Sequence, residues 1–240
     1  MSDPLLSPAA DLRDATRLRE RLASIATTPV LLVACDFDGT LAPLVDDPTV
    51  AMPHPVAMAA LVELSSLDHT HAALVSGRGR DDLAHLAGVP GTVMLVGSHG
   101  AESPDLSAVH AAAVDATSRL DELERQIRSI AEATPGSLVE RKPLAVALHV
   151  RQSTIEDAAR AFAEVMIGPA QRPGVYVREG SNVLELCLLS PSDGADKGTA
   201  LTRLRERAGA TAVIFLGDDK TDVEALRTLR QSDTGVIVGD

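Results

Sequence analysis

Val30-Leu31-Leu32-Val33-Ala34-Cys35-Asp36-Phe37-Asp38-Gly39-Thr40 is the stretch that decides the fold. Its first five residues form a continuous apolar run, the pattern of a strand buried on both faces in a parallel sheet covered by helices. Two carboxylates follow at the strand's C-terminal end, where open α/β sheets bind ligands. Asp36 and Asp38 stand two apart, so persisting strand geometry would point them to one side and Cys35 to the other. Gly39 lets the chain turn away sharply. Like charges so close call for a cation between them, and Mg2+, a hard ion that takes oxygen ligands, suits the pair. Taken alone, these residues could equally be an Asp-rich turn with Gly at its apex. The rest of the chain weighs against that description.

Working outward, Ser7-Pro8 reads as an N-cap and first helical position, with Leu12, Ala15, Leu18, Leu22 and Ile25 continuing at helical spacing. After the first strand, the pattern predicts a helix over Val56–Leu67, a buried strand over Ala72–Ser76, a helix over Asp81–Ala87 and a strand over Val93–Val96. This β-α-β-α-β order argues for a doubly wound parallel sheet. The pattern then changes. A long helix over Leu106–Ala133, strands over Ser137–Arg141 and Ala145–Arg151, a helix over Thr154–Met166 and strands over Val175–Arg178 and Val183–Leu188 read as a separate α+β module. Residues 102–186 are therefore expected to form an inserted domain, and residues 1–101 and 187–240 the core. The parallel pattern resumes with a helix over Lys197–Ala208, a strand over Thr211–Leu216, a helix over Val223–Arg230 and a strand over Gly235–Val238. A doubly wound sheet would ordinarily cover that strand with another helix. A chain cut short at Asp240 and an exposed edge are the two alternatives.

The composition bounds the function. Of the 240 residues 45% are hydrophobic, enough for a real core, and the formal net charge of −12 disfavours nucleic acid and anionic membranes as partners. No apolar run approaches the ~18 residues of a membrane span, and the N-terminus lacks a charged-then-apolar targeting pattern. Two cysteines, Cys35 and Cys187, suit a reducing cytoplasm and are expected in the core. With only three Phe, one Tyr and no Trp, aromatic stacking cannot be the main mode of reading a sugar. Charged and amide side chains would have to do it. His69-x-His71 has no third ligand nearby in the sequence and makes no convincing metal site.

Four groups recur at strand ends or at a helix start: Asp36/Asp38, Ser76, Lys197 and Asp218/Asp219/Asp222. Each alone is an ordinary turn, cap or surface charge, but in this order at strand C-termini chance is a poor explanation. The combination resembles the haloacid dehalogenase superfamily of phosphohydrolases. Within it the chain looks like the trehalose-6-phosphate phosphatases, on Ser76-Gly77-Arg78, Gly97-Ser98-His99-Gly100, Glu140-x-Lys142, His149-x-Arg151, Val183-x-Glu185, Asp196-Lys197-Gly198 and Gly217-Asp218-Asp219-x-Thr221-Asp222.

The resemblance implies a Rossmann-like core carrying an α/β cap that closes over the site, with hinges near Gly97–Gly100 and Leu186–Ser190. It implies Asp36 as nucleophile, Asp38 as acid and base, Ser76 as a donor to the phosphoryl group and Lys197 as a charge neutraliser. Mg2+ would be held by Asp36, Asp218 and the Asp38 backbone carbonyl, with Asp219 as a further ligand or an orienter of Lys197 and Asp222 supporting the loop. Glu140, Lys142 and Glu185 are the expected sugar readers, and Arg78, Ser98 and His99 the candidates on the core side. Two positions and one stretch depart from the family pattern and bear on which sugar is read. Ser181 stands where a basic residue usually follows Gly180, Val223 stands where an acid usually follows Asp222, and Cys187–Ala195 lacks an aromatic. The expected substrate is trehalose 6-phosphate. The alternatives are another sugar phosphate such as sucrose 6-phosphate, or a non-catalytic domain partnering a trehalose-phosphate synthase.

Overall fold

The computed structural model describes residues 15–45, 48–103, 107–190 and 196–239, without the side chains of 15, 48 and 107–116. The expected Ser7-Pro8 helix start lies outside the described residues. Two compact units emerge, the first built from the chain up to Gly100 and from Asp196 onward, the second from Ala101–Ala195.

In the first unit α1 (Ala15–Ile25) leads into β1 (Leu31–Cys35), then α2 (Pro55–Leu64), β2 (Thr70–Val75), α3 (Arg80–Ala87) and β3 (Val93–Val96). The chain returns through α6 (Lys197–Ala208), β8 (Ala212–Gly217), α7 (Lys220–Arg227) and β9 (Thr234–Ile237). The sheet is wholly parallel, in the order β3-β2-β1-β8-β9. Every residue of β1 is buried, which is why its apolar run shows no alternation. Leu31, Val33 and Cys35 pack on one face with Met58 and Leu61 of α2 and Leu83 of α3. Leu32 and Ala34 pack on the other with Phe215 of β8, Leu201 and Leu204 of α6 and Ala225 of α7. From β1 the chain winds to one side through β2 and β3, and later to the other through β8 and β9. The ends of β1 and β8 therefore flank the topological switch point, the crevice such sheets use for ligands.

The second unit contains α4 (Ser107–Glu132), β4 (Leu138–Lys142), β5 (Ala145–His149), α5 (Ile155–Ile167), β6 (Tyr176–Gly180) and β7 (Val183–Cys187). Its sheet is antiparallel, in the order β4-β5-β7-β6. Val146, Leu148, Leu184 and Leu186 bury one face against Leu120, Leu123 and Ile127 of α4 and Ala161 and Val165 of α5. The alternate positions face away from that core: Glu140 and Lys142 on β4, Ala145, Ala147 and His149 on β5, Glu185 and Cys187 on β7, Tyr176 and Arg178 on β6. Leu186, Leu188 and Leu189 belong to this unit's core. Leu188 and Leu189 therefore pack with this unit, beyond the boundary expected at residue 186 and within the stretch expected to hinge. Among the described residues no helix is long and apolar enough to cross a membrane.

Candidate active site

Parallel pairing of β1 with β8 sets Cys35 beside Leu216, and Asp36 N–H donates to the Leu216 carbonyl at 2.9 Å. One oxygen from each of Asp36, Asp218 and Asp222 lies within 4.8 Å of the others. Lys197, the first residue of α6, enters this cluster and is almost completely buried. Its Nζ stands 2.9 Å from Asp36 Oδ1 and 2.7 Å from Asp222 Oδ1. The other oxygen of Asp222 accepts the backbone N–H groups of Asp218 at 2.9 Å and Asp219 at 3.1 Å. Asp222 thus holds both the ammonium and the turn that presents Asp218.

Charge in this cluster is out of balance. Burial is the main force pushing the Asp36 carboxyl up to about 8, and Asp222 adds to it while Lys197 opposes. Burial and the neighbouring Asp219 and Asp222 likewise raise Asp218. Burial alone would lower the Lys197 ammonium, but Asp36, Asp222 and Asp219 lift it above its ordinary value. One ammonium therefore serves several carboxylates, a donor set that fits a divalent cation, which would supply the charge the cluster lacks. The backbone agrees with such use. Gly39 adopts φ +83°, and a Cβ there would collide with the Asp218 carboxylate. Thr40 Oγ1 donates to Asp218 Oδ1 at 3.4 Å.

Ser76 follows β2 and is buried. Its Oγ accepts the Arg78 N–H at 3.1 Å, and a hydroxyl that accepts still has its own O–H to donate. The loop after β3 braces this segment through its backbone. Ser98 N–H donates to the Arg78 carbonyl at 2.6 Å and His99 N–H to the Ser76 carbonyl at 2.9 Å. Ser98 and His99 both carry positive φ, at 48° and 54°. Such strain in two successive non-glycine residues persists only where the surroundings enforce it. The His99 ring packs so closely on Gly77 that a Cβ there would meet Nε2 at 2.5 Å.

In the second unit the polar sheet face carries a separate cluster. Lys142 Nζ donates to Glu185 Oε2 at 3.1 Å and lies 3.9 Å from Glu140 Oε2, and both Lys142 and Glu185 are buried. Burial works against the Lys142 ammonium, but Glu185 and Glu140 raise it above its ordinary value. Glu140 Oε2 is also 2.8 Å from His149 Nε2. Arg178, paired with Glu185 across β6 and β7, places Nη1 at 3.8 Å from Glu185 Oε1 and 3.6 Å from Cys187 Sγ. Burial pushes both thiols up to about 12, Cys35 and Cys187 alike, so neither is a nucleophile at neutral pH.

These clusters can be set beside known proteins. A family model described as trehalose-phosphatase matches residues 34–238, from inside β1 to just past β9. The chain belongs to the trehalose-phosphatase family. It is 34% identical over 220 residues to the trehalose-phosphate phosphatase of Mycobacterium marinum, covering 88% of this chain and 55% of that protein. To the trehalose-phosphate phosphatase of Mycobacterium leprae it is 36% identical over 214 residues, covering 84% and 48%. The C-terminal domain of C. albicans trehalose-6-phosphate phosphatase superposes with a TM-score of 0.72 at 25% identity, covering 88% of this chain and 77% of that one. The chain spans about half the length of the curated relatives it matches.

Set against this trehalose-phosphatase frame, the structure brings Asp36, Lys197 and Asp218 together and places Glu140, Lys142 and Glu185 on one sheet face. Three of the expected residues have further partners in the structure. Asp219 is not among the three carboxylates that converge. Its Oδ1 accepts from Thr221 N, Thr221 Oγ1 and Asp222 N, because Asp219 is the N-cap of α7 and forms a capping box with Asp222. Asp222 supplies the third carboxylate instead. The Asp38 side chain is also outside the carboxylate cluster. Both its oxygens are held by Arg78, at 2.7 Å from Nε and 2.7 Å from Nη2. Strand geometry ends at Cys35, so the two-residue spacing does not send Asp36 and Asp38 to the same partner. Arg78, expected as a substrate reader, is engaged with Asp38 and Asp82. Residues absent from the sequence-derived set are Arg178 and Tyr176. The alternation of β6 would have found them once its register against Glu185 was known.

Proposed function

We propose that this chain is a Mg2+-dependent phosphatase that hydrolyses trehalose 6-phosphate to trehalose and phosphate. The observation that carries the reading is the buried Lys197 bridging Asp36 and Asp222 beside Asp218, in a chain of the trehalose-phosphatase family. Asp36 and Asp218, with the Asp38 backbone carbonyl, would hold the cation, which when bound neutralises phosphoryl charge as a Lewis acid.

Asp36 attacks phosphorus through a carboxylate oxygen. The bond from phosphorus to the sugar oxygen breaks and an aspartyl-phosphate forms. Asp38 delivers the proton that the sugar oxygen takes as it leaves. Asp38 then accepts a proton from the water that attacks the same phosphorus, releasing phosphate and restoring the Asp36 carboxylate. Lys197 keeps Asp36 charged and oriented and offsets the charge developing on the phosphoryl oxygens. Ser76 donates its hydroxyl to that group.

In the second unit Glu140 and Glu185 accept from sugar hydroxyls and Lys142 donates to them. With few aromatics, this face is asked to supply most of the sugar discrimination. Two buried free cysteines and the net charge of −12 suit a cytoplasmic protein. A non-catalytic role in partnership with a synthase would not require Asp36 to be held as a nucleophile. The test is kcat/KM across trehalose 6-phosphate, sucrose 6-phosphate and glucose 6-phosphate with Mg2+. Preference for trehalose 6-phosphate is expected, and a value no better than the others removes the substrate assignment.

A further inference from the structure

We infer that Arg78 is a positioning residue for Asp38, an inference that rests on the acid–base reading of Asp38 given above. The Arg78 fork grips both Asp38 oxygens at 2.7 Å. Its remaining terminal nitrogen, Nη1, donates to Asp82 Oδ2 at 2.8 Å, one helical turn along in the first turn of α3. The guanidinium carbon sits 5.6 Å from the centroid of the Phe37 ring, the residue between the two active-site aspartates. The Arg78 backbone is fixed as well, with its N–H on Ser76 Oγ and its carbonyl under Ser98 N–H. The Arg78 side chain is 9% exposed and that of Asp38 31%, so the guanidinium is buried while the carboxylate stays open to solvent and to a substrate.

A planar fork on a carboxylate fixes both its distance and its plane, which a point charge cannot do. A proton-transfer group needs that control, since its oxygen must meet the leaving oxygen at hydrogen-bond distance. With Nε, Nη1 and Nη2 all spent on Asp38 and Asp82, a direct contact with the substrate phosphate would have to break bonds already made. The competing description is an ordinary buried ion pair that only stabilises the fold, or a phosphate-binding arginine.

Leaving-group dependence separates these. A sugar alkoxide leaves poorly and needs the proton, whereas nitrophenolate leaves without one. The first step, read by kcat/KM, should feel the loss of Asp38 positioning only with the sugar ester. The experiment measures kcat and KM of wild type, Arg78→Lys, Arg78→Ala, Asp82→Asn and Asp38→Asn on trehalose 6-phosphate and on p-nitrophenyl phosphate, all with Mg2+. Asp38→Asn should lower kcat/KM on the sugar ester by ~10²–10⁴ and on the aryl ester far less. Both Arg78 variants should follow the same pattern, with losses at least about tenfold larger on the sugar ester, carried by kcat rather than KM. Arg78→Lys keeps the buried charge and guards against a folding failure in Arg78→Ala, and Asp82→Asn should show the same bias in weaker form. Equal losses on both esters, or a rise in KM alone, would overturn the inference by placing Arg78 on the phosphoryl group. An Asp38→Asn variant whose kcat/KM falls equally on both esters would overturn instead the acid reading of Asp38 beneath it.

Discussion

Replacing Lys197 by Met keeps the length of the side chain and removes its charge. Lys197 is 2% exposed and contacts Asp36 and Asp222, themselves 4% and 1% exposed, at 2.9 and 2.7 Å. Solvent screening therefore gives little relief. Removing one member of a buried ion pair strands the others and costs ~3–5 kcal/mol. Without cation Asp36 is pushed up to about 8 even beside the ammonium, so at pH 7.5 it takes a proton once Lys197 is gone, and the further change Asp36→Asn should alter stability by less than about 1 kcal/mol. Catalysis should respond differently, since loss of a preorganised charge at the phosphoryl group costs ~10²–10³ in kcat and the double variant also lacks its nucleophile. The assay is urea denaturation at pH 7.5 in chelator, followed by circular dichroism because the chain has no Trp and a single Tyr. The unfolding transition of the first unit gives the stability, and phosphate release gives the rate. A loss below about 1 kcal/mol for Lys197→Met, or a double variant as unstable as the sum of the singles, would refute the buried-pair argument.

Other perturbations read other parts of the site. Gly39→Ala forces a Cβ onto the Asp218 carboxylate at a residue with φ +83°, so Mg2+-stimulated phosphate release should be lost, and full activity would contradict the placement of Asp218. In the cation-free protein Asp36 is pushed up to about 8, against an unfolded value near 3.9. The native state then holds the extra proton between these values, so this group makes stability fall as pH rises from about 4 to about 8. A divalent cation removes that penalty, so Mg2+ should raise Tm more at pH 8 than at pH 5, and equal increments at both would contradict a cation on Asp36. His149→Ala frees Glu140 from its 2.8 Å partner, so KM for trehalose 6-phosphate should rise several-fold with turnover of p-nitrophenyl phosphate unchanged, and an unmoved KM would take His149 out of the sugar-reading face.

The first unit was legible because its strands are buried on both faces, and β1 and β8 announce themselves as apolar runs with acids at their ends. Details of the site were less so, for local reasons. The apolar pattern starts α7 at Val223, but the helix begins at Lys220. That shift makes Asp219 the cap and turns Asp222 toward Lys197, so a three-residue difference in one helix start decides which of the two carboxylates meets the ammonium. The Arg78–Asp38 pair spans 40 residues and depends on β1 and β2 lying side by side in register. Spacing in the sequence cannot report such a contact. In the second unit, Glu140, Lys142 and Glu185 were named from resemblance. Their joining with His149 and Arg178 depends on antiparallel register, which sets Arg178 opposite Glu185 and Glu140 opposite Ala147.

The central claim is that Asp36 is the nucleophile of a trehalose 6-phosphate phosphatase. Phosphate release from trehalose 6-phosphate by wild type and by Asp36→Asn, each with and without Mg2+, tests it most directly. Turnover is predicted only for wild type with Mg2+. Robust turnover by Asp36→Asn, or none by wild type in the presence of Mg2+, would contradict it.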